Sequence, residues 1–334
     1  MQRSISTPRR ALALATLALL AACGSTPSTA VPTTALTPAT SPVTAEASTT
    51  AAPTTDAPTT DASTTTELEL TPTCGATIAP PARYDHVVWV WMENHSFSQV
   101  MGQADSPYVN SLAAECTTAS NYQQVGKPSL PNYIGATSGD TWGIADDAGP
   151  DTHVLTADNI FRQVRAAGGT AVSYQEAMPS PCATESSGTY AVKHNPAAYY
   201  QGADDRAACQ RDNLPLDQFH PDALPTFAFV TPDLCNDTHD CPVSTGDQWL
   251  ANFLPPLLFS NTYRQGRTAV FVVWDEDSPM PFLAITQTAP AGGVITDPVN
   301  HYSLLRTTEQ FLCLPPLANA ATAVSMRGSL RANG

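Results

Sequence analysis

The chain has 334 residues, and its 30 acidic side chains outnumber its 15 basic ones, which gives a formal net charge of −15. Proteins bind nucleic acids mainly through Lys and Arg side chains that neutralise phosphates, so this balance argues against a nucleic-acid partner. It also means that any chemistry on phosphate groups must draw its cations from a metal ion or from a few local side chains.

The first 22 residues have the pattern of an export signal. Basic side chains stand at positions 3, 9 and 10, and the apolar stretch 11–22 is too short to cross a bilayer as a permanent helix. Its end, Leu20-Ala21-Ala22-Cys23, resembles the lipobox of bacterial lipoproteins, in which the cysteine carries the lipid. We therefore predict an exported protein that Cys23 anchors to the outer face of the cell membrane. The alternative is ordinary cleavage after Ala22, which gives a secreted protein.

Residues 23–73 consist largely of Thr, Ala, Pro and Ser, with few large apolar side chains and no periodicity. Such a segment cannot bury enough surface to offset its ordering entropy, so we predict a disordered tether. The folded domain is expected at 74–334, and its length of about 260 residues suits one large α/β domain.

Seven cysteines fall in the predicted domain, and export makes disulfides their expected state. Proximity in sequence suggests the pairs Cys74–Cys116, Cys182–Cys209 and Cys235–Cys241. Cys313 is then left over as a candidate buried thiol. A zinc site is the alternative, although no Cys-x-x-Cys spacing supports it.

The domain opens with a nearly unbroken apolar and aromatic run at 84–92, which is rich in β-branched residues. This pattern predicts a strand buried on both faces, as in a parallel sheet. The run ends in Glu93 and Asn94, followed by His95 and Ser96. In open α/β sheets, ligands bind beyond the carboxyl ends of the strands, so Glu93 and Asn94 are expected at a functional edge. His95 and Ser96 are expected to shape the turn that follows.

A turn flanked by prolines follows a helix predicted at 105–115. Pro128 and Pro131 enclose Ser129 and Leu130, and Pro131 is suited to the first position of the next helix. Ser129 would then lie just before a helix N-terminus, where the dipole and the free N–H groups favour an anion. The alternative is that Ser129 is a simple N-cap.

The rest of the domain alternates between strand and helix patterns, which implies a mostly parallel sheet. Strands are predicted at 170–174, 225–232, 268–274 and 281–286, and helices at 158–167, 246–259 and 303–313. Pro255 and Pro256 are expected to interrupt the second of these helices.

Three of the predicted strands end in side chains that can bind a metal ion. The residues are Glu93 and Asn94 after the first strand, Asp237 and His239 after 225–232, and Asp275 and Glu276 after 268–274. Carboxylates brought together at one edge of a sheet repel one another unless a cation or a proton compensates them. We therefore predict a divalent metal, because oxygen ligands suit Mg, Ca or Mn and added imidazole admits Zn or Fe. Beside Ser129, such an ion would activate the hydroxyl as a nucleophile.

Four motifs resemble, in order, those of a known family. Residues 86–97 resemble the opening motif of the bacterial phosphoesterase family that joins phospholipases C with acid phosphatases. Residues 128–133 are similar to the nucleophile turn of its acid-phosphatase-like members. Trp274-Asp275-Glu276 resembles the late metal-binding motif, and 301–307 the C-terminal histidine motif. The resemblance implies the alkaline-phosphatase-like fold, a three-layer α/β/α arrangement around a mostly parallel sheet.

The resemblance also implies roles for single residues. Metal ligation would fall to Glu93, Asn94, Asp275 and Glu276, and the nucleophile would be Ser129. His239 and His301 would hold the phosphoryl oxygens or protonate the leaving group, and His194 would be a further phosphate ligand. Apart from these implied roles, we expect Lys127, Asn132 and Asp237 to contact the substrate. Lys127 stands where family members often carry His, so the phosphate-binding site is expected to differ in this chain.

We therefore predict a metal-dependent hydrolase of phosphoric esters that acts on a phosphomonoester through a phosphoseryl intermediate. The short stretch after residue 313 favours the acid-phosphatase-like branch of the family. One alternative is a phosphodiesterase that acts on phospholipid head groups as a phospholipase C does. Another, from a different class, is a non-catalytic lipoprotein that keeps the fold for binding.

Overall fold

The computed structural model of the chain describes residues 72–331. The predicted export signal at 1–22, the predicted lipid-carrying Cys23 and nearly all of the predicted tether at 23–73 lie outside the described residues. Within 72–331, none of the helices is both long enough and apolar enough to cross a membrane.

A large, mostly parallel sheet forms the centre of the domain. The strands described within 72–331 are β1 (His86–Met92), β2 (Thr117–Ala119), β3 (Tyr122–Gln123), β4 (Ala171–Gln175), β5 (Asn213–Pro215), β6 (Phe227–Thr231), β7 (Thr268–Trp274), β8 (Phe282–Ile285), β9 (Val294–Ile295) and β10 (Val299–Asn300). Eight of them form one sheet in the order β5-β4-β6-β1-β7-β8-β2-β9. The first five in that order are mutually parallel, β8 is antiparallel to both of its neighbours, and β10 pairs separately with β3.

Helices cover both faces of the sheet. The α-helices described in the same range are α1 (Phe97–Val100), α2 (Pro107–Glu115), α3 (Ser129–Ser138), α4 (Ile160–Ala166), α5 (Asp205–Asp212), α6 (Val243–Leu258), α7 (Asn261–Arg264) and α8 (His301–Leu312). On one face of β1, Trp89 donates to Thr308 of α8 at 3.0 Å. On the other face Met92 lies against Gly246 of α6, since side chains alternate along a strand. The predicted three-layer α/β/α arrangement follows from these contacts.

The long, strongly patterned elements confirm the predictions. All five predicted strands are present, and the run at 268–274 forms β7 without a shift at either end. Two helices differ from the expectation. Pro131 is the third residue of α3, because the helix already begins at Ser129. The helix α6 continues through Pro255 and Pro256, because they lie in its last turn, where Leu254, Leu257 and Leu258 are buried.

Three disulfides join the pairs that the sequence suggests: Cys74–Cys116, Cys182–Cys209 and Cys235–Cys241. The expectation that Cys313 is a free thiol is wrong, because Cys313 is itself disulfide-bonded. The Cys235–Cys241 bridge closes a short ring around the loop that follows β6, and this loop carries Asp237 and His239.

Gly139 ends the helix α3 and is expected to be intolerant of a side chain. Its φ is +80°, and a Cβ there would lie 2.5 Å from the Leu317 carbonyl oxygen. We expect Gly139→Ala to lower the free energy of unfolding by about 3 kcal/mol, from the left-handed backbone and the clash together. Gly143→Ala is the matched control, because Gly143 has a φ of +77° but nothing within 4 Å of the added Cβ. In a urea titration, Gly143→Ala should lower the free energy of unfolding by only about 1 kcal/mol. An equal decrease for the two variants would contradict the role of the clash.

Candidate active site

Backbone contacts bring the residues after β1, β6 and β7 together at one edge of the sheet. Glu93 N donates to Asp237 O at 2.8 Å, and Asp275 N donates to Met92 O at 3.1 Å. Asn94, at a φ of 53°, donates its backbone N–H to Asp275 Oδ1 at 2.9 Å. Glu93, Asp237 and Asp275 are fully buried, and we call these three residues the carboxylate cluster.

The helix α3 directs two hydroxyl groups at the cluster. Ser129 Oγ donates to Glu93 Oε2 at 3.1 Å, and Tyr133 OH donates to Glu93 Oε1 at 2.5 Å. The two side chains lie four residues apart and therefore on one face of the helix. Ser129 is the first residue of α3, and its hydroxyl is directed at Glu93. Sequence reasoning missed Tyr133, although its spacing from Ser129 could have identified it.

His194 lies between two carboxylates. Its Nε2 is 3.2 Å from Glu93 Oε1, and its Nδ1 is 3.1 Å from Asp237 Oδ2. The ring stacks on Tyr133 with centroids 5.2 Å apart. Burial, and then the charge of Lys193, lower the pKa of His194 well below its ordinary value, so the ring is neutral. A neutral imidazole does not compensate the charge of the cluster.

The carboxylate cluster is difficult to ionise without a further positive charge. Burial, followed by the charges of Asp275 and Asp237, raises the pKa of Glu93 well above its ordinary value. Burial also raises the pKa of Asp275 to about 7 and the pKa of Asp237 to about 8. Asp275 Oδ2 is buried without a hydrogen-bond partner among the described residues. An unpaired oxygen among crowded carboxylates fits a bound cation, which would favour the charged form of all three groups.

Several nearby side chains can complete a metal site. Glu93, His194 and His239 each offer a ligand atom, and these atoms lie within 4.8 Å of one another. Two imidazoles and a carboxylate are donors that Zn or Fe accepts. Of the four ligands predicted from sequence, Asp275 is in the cluster beside Glu93, Asn94 contacts Asp275 through its backbone, and Glu276 is mostly buried next in the chain.

His301 is fully buried, and both of its ring nitrogens are occupied. Nε2 donates to the Asp275 carbonyl oxygen at 2.6 Å, so Nδ1 accepts from the Tyr122 hydroxyl at 3.1 Å. Burial lowers the pKa of His301 to about 4, which keeps the ring neutral. His301 thus contacts the backbone of Asp275, and its predicted role toward phosphoryl oxygens or the leaving group stays a prediction.

Asn132 also differs from the expectation. Its Oδ1 accepts from the backbone N–H groups of Val125 and Gly126 at 2.9 Å each, and its Nδ2 donates to Gly126 O at 3.0 Å. The amide thus fastens the turn before α3, and its predicted contact with a substrate stays a prediction. Lys127, in the same turn, is 60% exposed and pairs with Asp277 at 2.9 Å.

The structure adds a pair of residues that the sequence did not single out, Asp147 and Lys193. Lys193 Nζ lies 3.0 Å from Asp147 Oδ2 and 3.2 Å from His239 Nε2. Burial alone would lower the pKa of Lys193, but the attraction of Asp147 and other carboxylates raises it, so the group stays charged. A single lysine before a histidine carries no spatial signal in the sequence, and Asp147 lies in a loop without periodicity.

Comparison with known proteins gives consistent results. A sequence model of the Phosphoesterase family matches residues 103–280. A phosphatidylinositol-3-phosphatase from Mycobacterium tuberculosis is 30% identical over 260 residues, covering 75% of this chain and 85% of that protein. A phosphate-repressible acid phosphatase from Penicillium chrysogenum is 28% identical over 255 residues, covering 70% of this chain but only 60% of the fungal protein.

Among solved structures, the lipoteichoic acid synthase LtaP from Listeria monocytogenes aligns with a TM-score of 0.50 at 11% identity, over 70% of this chain and 73% of that one. Identity this low shows the fold alone. The predicted α/β fold with a large, mostly parallel sheet is confirmed. The fold and the phosphatase relatives together identify the protein as a hydrolase that acts on phosphoric esters. The chain belongs to the phosphoesterase family.

Proposed function

We propose that this protein is an exported, metal-dependent phosphomonoesterase whose nucleophile is Ser129. The observation that carries the proposal is the 3.1 Å hydrogen bond from Ser129 Oγ to Glu93 Oε2, within the carboxylate cluster. A serine hydroxyl is a weak nucleophile until a neighbouring group accepts its proton, and Glu93 is placed to do so. The position of Ser129 at the start of α3 adds the helix dipole, which favours the negative charge of a phosphoryl group.

The reaction proceeds in two displacements at phosphorus. Ser129 Oγ attacks in line, the bond between phosphorus and the leaving oxygen breaks, and the leaving oxygen takes a proton. Where the metal ion takes oxygen ligands only and leaves the His239 ring unbound, His239 is suited to supply that proton, since its side chain is 25% exposed at the rim of the site. Water then attacks phosphorus and gives a proton to His239, the bond between phosphorus and Ser129 Oγ breaks, and Glu93 returns its proton to Oγ, which releases inorganic phosphate and restores the serine hydroxyl. Catalysis of phosphoryl transfer rests mainly on positioning and on stabilising charge, which suits a rigid, buried site.

A divalent metal would be held by Glu93, Asn94, Asp275 and Glu276, with His194 and His239 as the nearest additional donors. When bound, the ion offsets the charge of the cluster and polarises the phosphoryl group. Support comes from the unpaired Asp275 Oδ2 and from the raised pKa values of Glu93 and Asp275. Mg, Ca or Mn suits the oxygen donors, and Zn or Fe suits a set that includes the histidines.

The names of two relatives support a phosphomonoester as the substrate, because one is a phosphatidylinositol-3-phosphatase and the other an acid phosphatase. Three disulfides support export, since such bonds persist in oxidising compartments. The sequence pattern around Cys23 supports a lipid anchor on the outer face of the membrane, with secretion as the alternative.

Metal removal is the direct test of this proposal. The full-length protein is assayed on p-nitrophenyl phosphate and on phosphatidylcholine, before and after treatment with a chelator. We expect hydrolysis of the monoester, its loss by at least about 100-fold on chelation, and recovery when one divalent metal is returned. Activity that survives complete chelation would remove the metal from the proposal. Faster cleavage of phosphatidylcholine than of the monoester would favour the phospholipase C-like alternative.

A further inference from the structure

The two lysines of the chain, Lys127 and Lys193, both lie at the candidate active site. Lys127 is 60% exposed and lies 2.9 Å from Asp277 and 3.8 Å from Glu276, which are both outside the cluster. Lys193 is only 21% exposed and is directed inward, at Asp147 and His239. In a chain with a net charge of −15, Lys193 is thus a half-buried cation beside a site for an anionic substrate.

Asp147 holds two groups that an incoming phosphate would need. Its Oδ1 accepts from Leu130 N at 3.0 Å, and its Oδ2 accepts from Lys193 Nζ at 3.0 Å. Leu130 is the residue after Ser129, in the first turn of α3, and Pro131 next to it has no N–H to offer. The Leu130 N–H is therefore one of few backbone donors at this helix end, and a carboxylate occupies it.

A carboxylate in this position imitates part of a phosphoryl group. One oxygen lies on a helix N-terminus and the other on an ammonium group, which are the two kinds of partner that bind phosphate oxygens in proteins. The Leu130 N–H, beside Ser129, cannot donate a full hydrogen bond to Asp147 and to a phosphoryl group on the serine at the same time. One of the two anions must leave when the other arrives.

The Asp147 carboxylate can leave the Leu130 N–H and Lys193 without unfolding of the loop that carries it. Its side chain is 27% exposed, so an outward rotamer reaches water. Neighbouring contacts hold the loop independently, because Tyr199 OH donates to Ala148 O at 3.1 Å and His153 Nε2 lies 2.5 Å from Asp146.

We propose that Asp147 occupies the phosphate position in the free enzyme and that substrate displaces it, which transfers the Leu130 N–H and the Lys193 ammonium to phosphoryl oxygens. The inference rests on the proposed role of Ser129 as the reacting group. Lys193 is then a substrate-binding residue, and Asp147 determines specificity. A phosphomonoester with two negative charges competes well with a carboxylate for these partners, whereas a phosphodiester with one charge competes less well. The need to displace Asp147 therefore favours phosphomonoesters over phosphodiesters.

The test is the affinity of the full-length, metal-supplemented protein for inorganic phosphate, measured by titration calorimetry. We expect Asp147→Ala to bind phosphate about tenfold more tightly than the wild type, because no carboxylate has to be displaced. Lys193→Met should bind it about tenfold more weakly, and Lys193→Arg should fall between Lys193→Met and the wild type. Asp151→Ala is the charge-matched control, since Asp151 is exposed in the same loop and its side chain accepts a hydrogen bond from the backbone of Thr152.

The same variants distinguish displacement of Asp147 by substrate from a role in which Asp147 only orients Lys193. If Asp147 only orients Lys193, Asp147→Ala will bind phosphate more weakly, and that result overturns the proposal. Unchanged phosphate affinity in Asp147→Ala also overturns it. So does a gain in affinity that is equally large in Asp151→Ala. We further expect Asp147→Ala to raise kcat/KM for bis(p-nitrophenyl) phosphate by a larger factor than for p-nitrophenyl phosphate. Asp147→Asn, which keeps the shape, serves if the Ala variant fails to fold. Phosphate affinity does not require turnover, so it remains a test even if Ser129→Ala proves to be active.

Discussion

Replacement of Ser129 by Ala is expected to lower kcat for p-nitrophenyl phosphate by roughly four to six orders of magnitude, the range seen when a catalytic nucleophile is removed. The loss should fall on kcat rather than on KM, because the hydroxyl forms its bond to phosphorus only during the reaction. Rapid quenching of the wild type with a labelled substrate should trap one phosphoserine, and peptide mapping should locate it at residue 129.

A matched control for this result lies in the same helix. Ser138, at the other end of α3, donates its hydroxyl to Ile134 O at 2.7 Å and is buried. Ser138→Ala should therefore keep kcat within about threefold of the wild type, although it loses this hydrogen bond and the one that Ser138 Oγ accepts from Trp142 Nε1 at 2.9 Å, each worth about 1 kcal/mol of stability. Comparable kcat values for Ser129→Ala and the wild type would show that another residue is the nucleophile.

Asp275→Asn is expected to lower kcat by about 1000-fold and, at the same time, to stabilise the metal-free protein at neutral pH. An Asn keeps the Oδ1 acceptor for Asn94 N, so the turn after β1 is preserved. It removes one of the three buried acidic groups, and with it the charge that helps to raise the pKa of Glu93. Activity and metal-free stability should thus change in opposite directions, as at other sites where function requires crowded charges.

The pH dependence of stability provides the measurement for this second prediction. Asp275 and Asp237 have folded pKa values of about 7 and about 8, against about 4 in an unfolded chain. Between these limits the folded state binds more protons than the unfolded state, so the free energy of unfolding falls as pH rises. The metal-free wild type should accordingly show a lower Tm at about pH 8 than at about pH 5, and the decrease should be smaller in Asp275→Asn. A Tm that rises over this range would contradict the prediction, and a saturating divalent metal should flatten the curve.

The parts of the fold that were predictable are those with strong local patterns. The run at 84–92 and the strand β7 are apolar throughout, because both faces of a central strand are buried, and that pattern is visible in the sequence. The short strand β2 and its neighbour β9 at the sheet edge are not predicted, since two or three residues carry no periodicity and their pairing depends on distant partners.

The candidate site was predictable where it depends on strand ends. Glu93, Asp237 and Asp275 each follow a buried parallel strand, so their meeting at one edge of the sheet follows from the topology alone. Contacts that arise from irregular segments were not predictable in the same way. Asp147 and Lys193 lie 46 residues apart, in stretches without helix or strand periodicity, and only the folded chain brings them together.

The scarcity of lysine has a practical consequence for handling this protein. Reagents directed at lysine amines find two such targets, Lys127 and Lys193, and both border the site. Labelling or immobilisation through lysine would therefore modify residues beside the candidate active site, whereas in most proteins the modified lysines are spread over the surface. Attachment through an engineered surface cysteine or an affinity tag would leave the site accessible.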